Sequence, residues 1–128
     1  MSEAVPPNDP AKVRRDLLAV ALKLPGAYED HPWGESAVKV DKKIFVFMGT
    51  DGSERPGFGV KLGESHEQAM GGEGITQMGY GLGKAGWVWV VLGETDIPGE
   101  VFEDWVEESY RNVALKRRIA ELERRTAG

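Results

Sequence analysis

The chain has 128 residues, of which 41% are hydrophobic and 29% charged, with a formal net charge of −5. That length supports one core, because two would each bury too little of their own surface, and the composition is that of an ordinary globular chain. Cysteine is absent, which excludes disulfides, thiolate nucleophiles, zinc knuckles and iron–sulfur centres, and no apolar run reaches the roughly 18 residues that a membrane-spanning helix requires.

Residues 1–9 hold two prolines among Ser, Glu, Asn and Asp and are expected to form a flexible arm, having little apolar surface to offset the entropy of ordering. The opening stretch has neither the basic region nor the apolar core of a secretion signal, so a cytoplasmic location is expected. Asp9 then reads as an N-cap with Pro10 at the first helical position. Val13, Leu17, Val20, Ala21 and Leu24 follow at helical spacing, predicting a helix over about 10–24 that Pro25-Gly26 stops. Ala37-Val38-Lys39-Val40 and the run Lys43 to Met48 flank Asp41-Lys42 as a β-hairpin, the second arm so apolar that it belongs in the middle of a sheet.

Gly57 to Leu62 is the third predicted strand, reached through the polar turn Thr50-Asp51-Gly52-Ser53. Glu64 to Met70 reads as a short helix cut off by Gly71-Gly72. Residues 71–86 hold seven glycines, too loose for a helix, with a short strand around Ile75 to Met78. The stretch Gly86 to Leu92 is the strongest strand, with Trp87, Trp89 and Val91 on one face and Val88, Val90 and Leu92 on the other. A closing helix begins near Asp96 and Pro98, with Glu100, Glu103 and Asp104 at its positive end and an apolar face of Phe102, Trp105, Val106, Ser109 and Val113. Leu115, Ile119 and Leu122 prolong that stripe, either packing back on the domain or joining a partner chain as a weak homodimer.

These elements predict an α+β fold: an antiparallel five-stranded sheet with N- and C-terminal helices packed on one face, in the order α-β-β-β-α-β-β-α. One domain spans 10–118, and 119–128 form a C-terminal helix extension and tail.

The chemistry-bearing residues are sparse. Gly81-Leu82-Gly83-Lys84-Ala85-Gly86 spells G-x-G-x-x-G, but a strand follows where a dinucleotide site requires a helix N-terminus, so a turn is expected. His31 and His66 are the two histidines, and neither has a second histidine at i+3, i+4 or i+5, which excludes a paired-histidine site on one helix; neither a metal nor a cofactor is expected. Glu29 and Asp30 could serve acid–base chemistry only with a shifted pKa; no serine has a recognisable base partner, and no catalytic residue is assigned. Lysines stand out: Lys39, Lys42 and Lys43 crowd the hairpin, Lys61 is on the next strand and Lys84 precedes the tryptophan strand. Such donors on one surface would contact phosphates, although lysines also blunt strand edges. Residues 111–128 carry six basic and two acidic side chains, so the rest of the chain is strongly acidic.

Leu24-Pro25-Gly26, then Glu29-Asp30-His31-Pro32-Trp33-Gly34, the lysine-bearing hairpin, the segment from Tyr80 through Lys84 to Trp87, and Ser109-Tyr110-Arg111 occur collinearly. In that order and spacing the chain resembles the MmcQ/YjbR family. The resemblance implies a compact α+β fold likened to bacterial frataxin, and DNA binding through a double-wing surface. It carries Lys84 and Trp87, with Trp33, over as candidate contacts. Where the family usually has Tyr-His-Met-Asn-Lys-x-His-Trp, this chain has Gly81, Leu82 and Gly83 in place of the polar triplet and Gly86 in place of the second histidine.

The leading expectation is therefore a non-enzymatic binding domain for DNA, with Lys39, Lys42, Lys43, Lys61 and Lys84 touching phosphates and Trp33 or Trp87 stacking if exposed. A protein-interaction module is the alternative. A third reading is a small-molecule site lined by Trp33, Tyr80, Trp87, Glu29 and Asp30.

Overall fold

The computed structural model describes residues 9–50, 55–79 and 81–127. The expected arm up to residue 8, residues 51–53 of the expected turn, Tyr80 and the side chain of Trp33 lie outside the described residues. Helix α1 (Pro10–Leu22) starts at Pro10 as predicted, with Val13 N–H bonded to the Asp9 carbonyl and no cap from the Asp9 side chain. Strands β1 (Tyr28–Asp30), β2 (Ser36–Val40), β3 (Lys43–Gly49) and β4 (Gly57–Lys61) follow, then α2 (His66–Met70), β5 (Ile75–Gln77), β6 (Trp87–Val91), α3 (Gly99–Val113) and α4 (Lys116–Ala127).

The sheet is antiparallel with six strands in the order β1-β2-β3-β4-β6-β5. The expected five strands and the expected element order are both corrected. Tyr28-Glu29-Asp30 adds an edge strand, pairing with Lys39, Val38 and Ala37. The expected single closing helix breaks at Ala114, whose extended backbone (ψ 153°) turns the chain into a separate α4.

Helices α1 and α3 cover one face. On α3 the buried residues Phe102, Trp105, Val106, Ser109 and Tyr110 follow the i, i+3, i+4, i+7, i+8 pattern of a core-facing helix. Phe102 meets Phe58 edge-on at 5.1 Å, and Tyr110 meets Phe45 at 5.2 Å; burying each such ring contributes about 2–3 kcal/mol. The same face holds Val60, Val88 and Val90, all fully buried. Strand alternation turns Trp87 and Trp89 to the opposite face. There Trp87 packs on Phe47 at 5.1 Å, and the Trp89 indole lies over Gly57 and Gly59, where side chains would collide with it.

Strand β3 is apolar nearly throughout because it bulges twice. Its register against β2 shifts between Val38 and Lys39 and again between Ser36 and Ala37, leaving Phe45 and Met48 without partners. A bulge puts consecutive residues on one face, so Phe45 and Val46 are both fully buried. Each bulge also frees a carbonyl, and a helix side chain binds it. The buried Arg14 of α1 donates Nε–H to Met48 O at 3.0 Å, and the buried Ser109 of α3 donates its hydroxyl to Phe45 O at 2.6 Å. The two buried polar side chains thus set how the helices sit on the sheet.

Among the described residues, no helix is long and apolar enough to cross a membrane.

Candidate functional site

The strand order decides where the lysines go. Lys39 is level with Tyr28 at the start of β1, Lys43 starts β3 beside the end of β2, and Lys61 ends β4 opposite Trp87 at the start of β6. Lys84 lies in the 3-10 turn Leu82–Ala85 just before β6. All five lysines therefore gather at one end of the sheet. From β3 to β6 that end is two strand spacings wide, roughly 10 Å.

The hairpin tip projects from this end. Asp41 (φ 53°) and Lys42 (φ 70°) are both left-handed, as a two-residue turn of the twist-matched kind requires. Glycine adopts that conformation without strain, whereas lysine does not, yet Lys42 occupies it with its side chain exposed. Asp41 points inward: its side chain is 10% exposed and lies 3.2 Å from Arg118 and 3.6 Å from Arg117. Burial pushes the Asp41 carboxyl up, but Arg118, the Leu115 backbone N–H and Arg117 more than offset it and hold it below the ordinary value.

The lysines differ in availability. Lys39 is paired with Asp30 at 2.7 Å; their hydrogen bond raises the lysine pKa and lowers that of the carboxylate. Lys61 is half-buried, with its N–H bonded to Ser109 and its carbonyl to Asn112. Lys42, Lys43 and Lys84 are exposed. Among the described residues, Lys42, Lys43, Lys61 and Lys84 take part in no ion pair.

Among the described aromatic candidates, Trp87 does not join them. Trp87 is only 7% exposed, which removes it as a stacking platform; an edge contact with Phe47 explains it better. The G-x-G-x-x-G stretch is the expected turn, with Gly86 at φ 99° and its α-carbon so close to the Leu62 carbonyl that no side chain fits.

Of the expected small-molecule grouping, the described members Glu29 and Trp87 are not brought together. Glu29 belongs to an open cleft of about 430 Å³ at the other end of the sheet, lined also by Arg14, Arg15, His31, Ser36 and Thr50. Trp87 lies four strands away from β1, roughly 19 Å at ordinary strand spacing, and Asp30 is engaged by Lys39. Within the cleft the Ser36 hydroxyl donates to Glu29, whose same oxygen lies 3.4 Å from His31 Nε2. The carboxylate thus stands between serine and histidine, so the serine lacks the imidazole base that nucleophilic chemistry needs. No group of three or more His, Cys, Asp or Glu could hold a metal ion among the described residues.

One contributor was not singled out from sequence. The basic residues of α4 meet the hairpin tip through Asp41, and the excess of positive charge after residue 110 was the only signal of it.

Two of the collinear segments, Leu24-Pro25-Gly26 and Ser109-Tyr110-Arg111, make structural contacts. Tyr110 donates its hydroxyl to the Pro25 carbonyl at 2.6 Å, Arg118 covers Gly26, and Arg111 bridges Glu107 and Glu123. No curated protein matches the chain. A family model described as YjbR does match, over residues 22–112, a span that takes in the hairpin, all five lysines and the Ser-Tyr-Arg segment, and on that match the chain belongs to the YjbR family, also called MmcQ/YjbR.

Proposed function

We propose that this protein is a non-enzymatic DNA-binding domain that grips the phosphate backbone with the lysine-bearing end of its sheet. One observation supports the reading above the rest: strand order brings Lys39, Lys42, Lys43, Lys61 and Lys84 to the same end, and four of them have no carboxylate partner among the described residues. Their ammonium groups would displace condensed counterions from DNA, a sequence-independent gain that weakens as salt rises. Because Trp87 is buried, it offers no stacking platform, which favours phosphate contact with duplex over base stacking on single strands at that position. The strained Lys42 turn fits this role, since a lysine held at a projecting tip reaches a groove edge that a glycine turn would not touch.

Titration of a fluorescein-labelled duplex between 20 and 200 mM salt tests this. Affinity should fall log-linearly with salt, and Lys42→Gln with Lys43→Gln should make the slope shallower by about 2. Absent binding, or binding indifferent to salt, would reject the reading.

A further inference from the structure

Helix α4 lies entirely outside the family match over 22–112. It docks through one face. Arg118, Leu122 and Arg125, spaced by four and three residues, share that side: Arg118 binds Asp41, Leu122 is 5% exposed, and Arg125 donates to the Lys23 carbonyl at the end of α1 at 2.8 Å. Both acidic residues of α4 are occupied, Glu123 by Arg111 and Glu121 by Arg118 and Arg125.

What remains is basic. Lys116, Arg117 and Arg124 are exposed, and Lys116 and Arg124 make no ion pair among the described residues. Arg117 is 73% exposed, and its nearest carboxylate, Asp41, is already engaged by Arg118. Lys116 and Arg124 project away from the docking side, and Arg117 flanks it, largely exposed beside Asp41. Their helix starts beside the hairpin tip, because Arg117 and Arg118 both reach the residue preceding Lys42.

We infer that the outer face of α4 is a second DNA-contacting surface, continuous with the hairpin tip, through which Lys116, Arg117 and Arg124 grip phosphates beyond the reach of the sheet lysines. The inference rests on the DNA-binding reading above. Lys116 and Arg124 lie eight residues apart, about 12 Å along the helix, a length over which duplex DNA presents roughly seven phosphate charges. The two ends of the stripe therefore meet different phosphates. The docking contacts keep the helix in place while its outer face works, so α4 need not unfold or detach to bind.

The test uses the full chain and the labelled duplex, comparing wild type, Lys116→Gln with Arg124→Gln, and Lys12→Gln with Arg15→Gln as a control of equal charge change on α1. The α4 variant should make the salt slope shallower by about 2 and weaken affinity at least roughly tenfold near 0.1 M salt, while the control stays within about twofold of wild type. Circular dichroism should show unchanged helix content in both. If wild type binds and loses affinity in the hairpin variant but not in the α4 variant, the inference about α4 fails and the sheet-end reading stands. Equal losses in α4 variant and control would also overturn it, because net charge alone would then govern affinity. No binding by wild type overturns both.

Discussion

The Ser109 hydroxyl stands where two strands stop reaching each other. Strands β3 and β4 pair only at Val46 with Val60 and Phe47 with Gly59. Beyond that point the Lys61 N–H donates to Ser109 Oγ at 2.8 Å, and Oγ donates to Phe45 O at 2.6 Å. One side chain thus substitutes for a missing rung of the ladder, deep in the core where water could not. Ser109→Ala would leave a buried donor and a buried acceptor unpaired, lowering unfolding free energy by about 2–3 kcal/mol. Tyr110→Phe, which removes only the bond to Pro25 O, should cost about 1 kcal/mol. Urea unfolding measures both, and neither should change DNA affinity. A loss below about 0.5 kcal/mol for Ser109→Ala would show that the ladder closes without the hydroxyl.

At the scale of elements, two carboxylates tie separate pieces together. Asp41 joins the hairpin to α4, and Glu108 of α3 accepts from Gly63 N–H, Ser65 N–H and the Ser65 hydroxyl, fixing the approach to α2. For Glu108, as for Asp41, burial pushes the carboxyl up and the donors outweigh it, so both lie below their ordinary values of 4.5 and 3.8. A carboxyl whose folded pKa is depressed stabilises the fold fully above its unfolded pKa and loses that contribution as pH falls through the folded value. Stability should therefore be level above about pH 5 and decline below about 4.5 as the Glu108 tie begins to weaken, with α4 amides losing hydrogen-exchange protection later, below about pH 4. Asp41→Asn should weaken α4 protection already at pH 7; an unchanged exchange pattern would mean that Leu122, Arg125 and Glu123 hold the helix without Asp41. These ties also show what could not be read locally. Strands β2, β3, β4 and β6 announce themselves by β-branched and aromatic runs, but β1 is three exposed or half-buried polar-flanked residues that become a strand only because β2 offers an unpaired edge. Likewise nothing in Ala114-Leu115 signals a break, since neither is a helix breaker; the break satisfies Asp41 and Arg118, 77 residues apart. The five lysines were nameable one by one, whereas their convergence depends on β6 inserting between β4 and β5, a non-local choice that no sequence window contains.

Across the whole molecule, the sheet lysines and one group of carboxylates stand apart along the strands, although Arg14 and Arg15 line the cleft at the end away from the lysines and Arg55 pairs with Glu94. One end carries the hairpin lysines, Lys61, Lys84 and the outer face of α4; Glu73, Glu94, Asp96 and Glu100 flank the opposite ends of β5 and β6 and the start of α3. A net charge of −5 opposes DNA only if those carboxylates are felt at the basic end. Strand β6 alone spans about 13 Å from Trp87 to Val91, longer than the Debye length of roughly 8 Å at physiological salt, so the far carboxylates are largely screened. Neutralising three of them with Glu73→Gln, Asp96→Asn and Glu100→Gln should therefore raise duplex affinity by less than about threefold near 0.15 M salt and leave the salt slope unchanged. The same number of charges removed from the basic end should flatten the slope by about 3. If far-end neutralisation raised affinity tenfold or more, the protein would be responding to its total charge, and the gathering of lysines at one end would not be what the proposed DNA contact rests on.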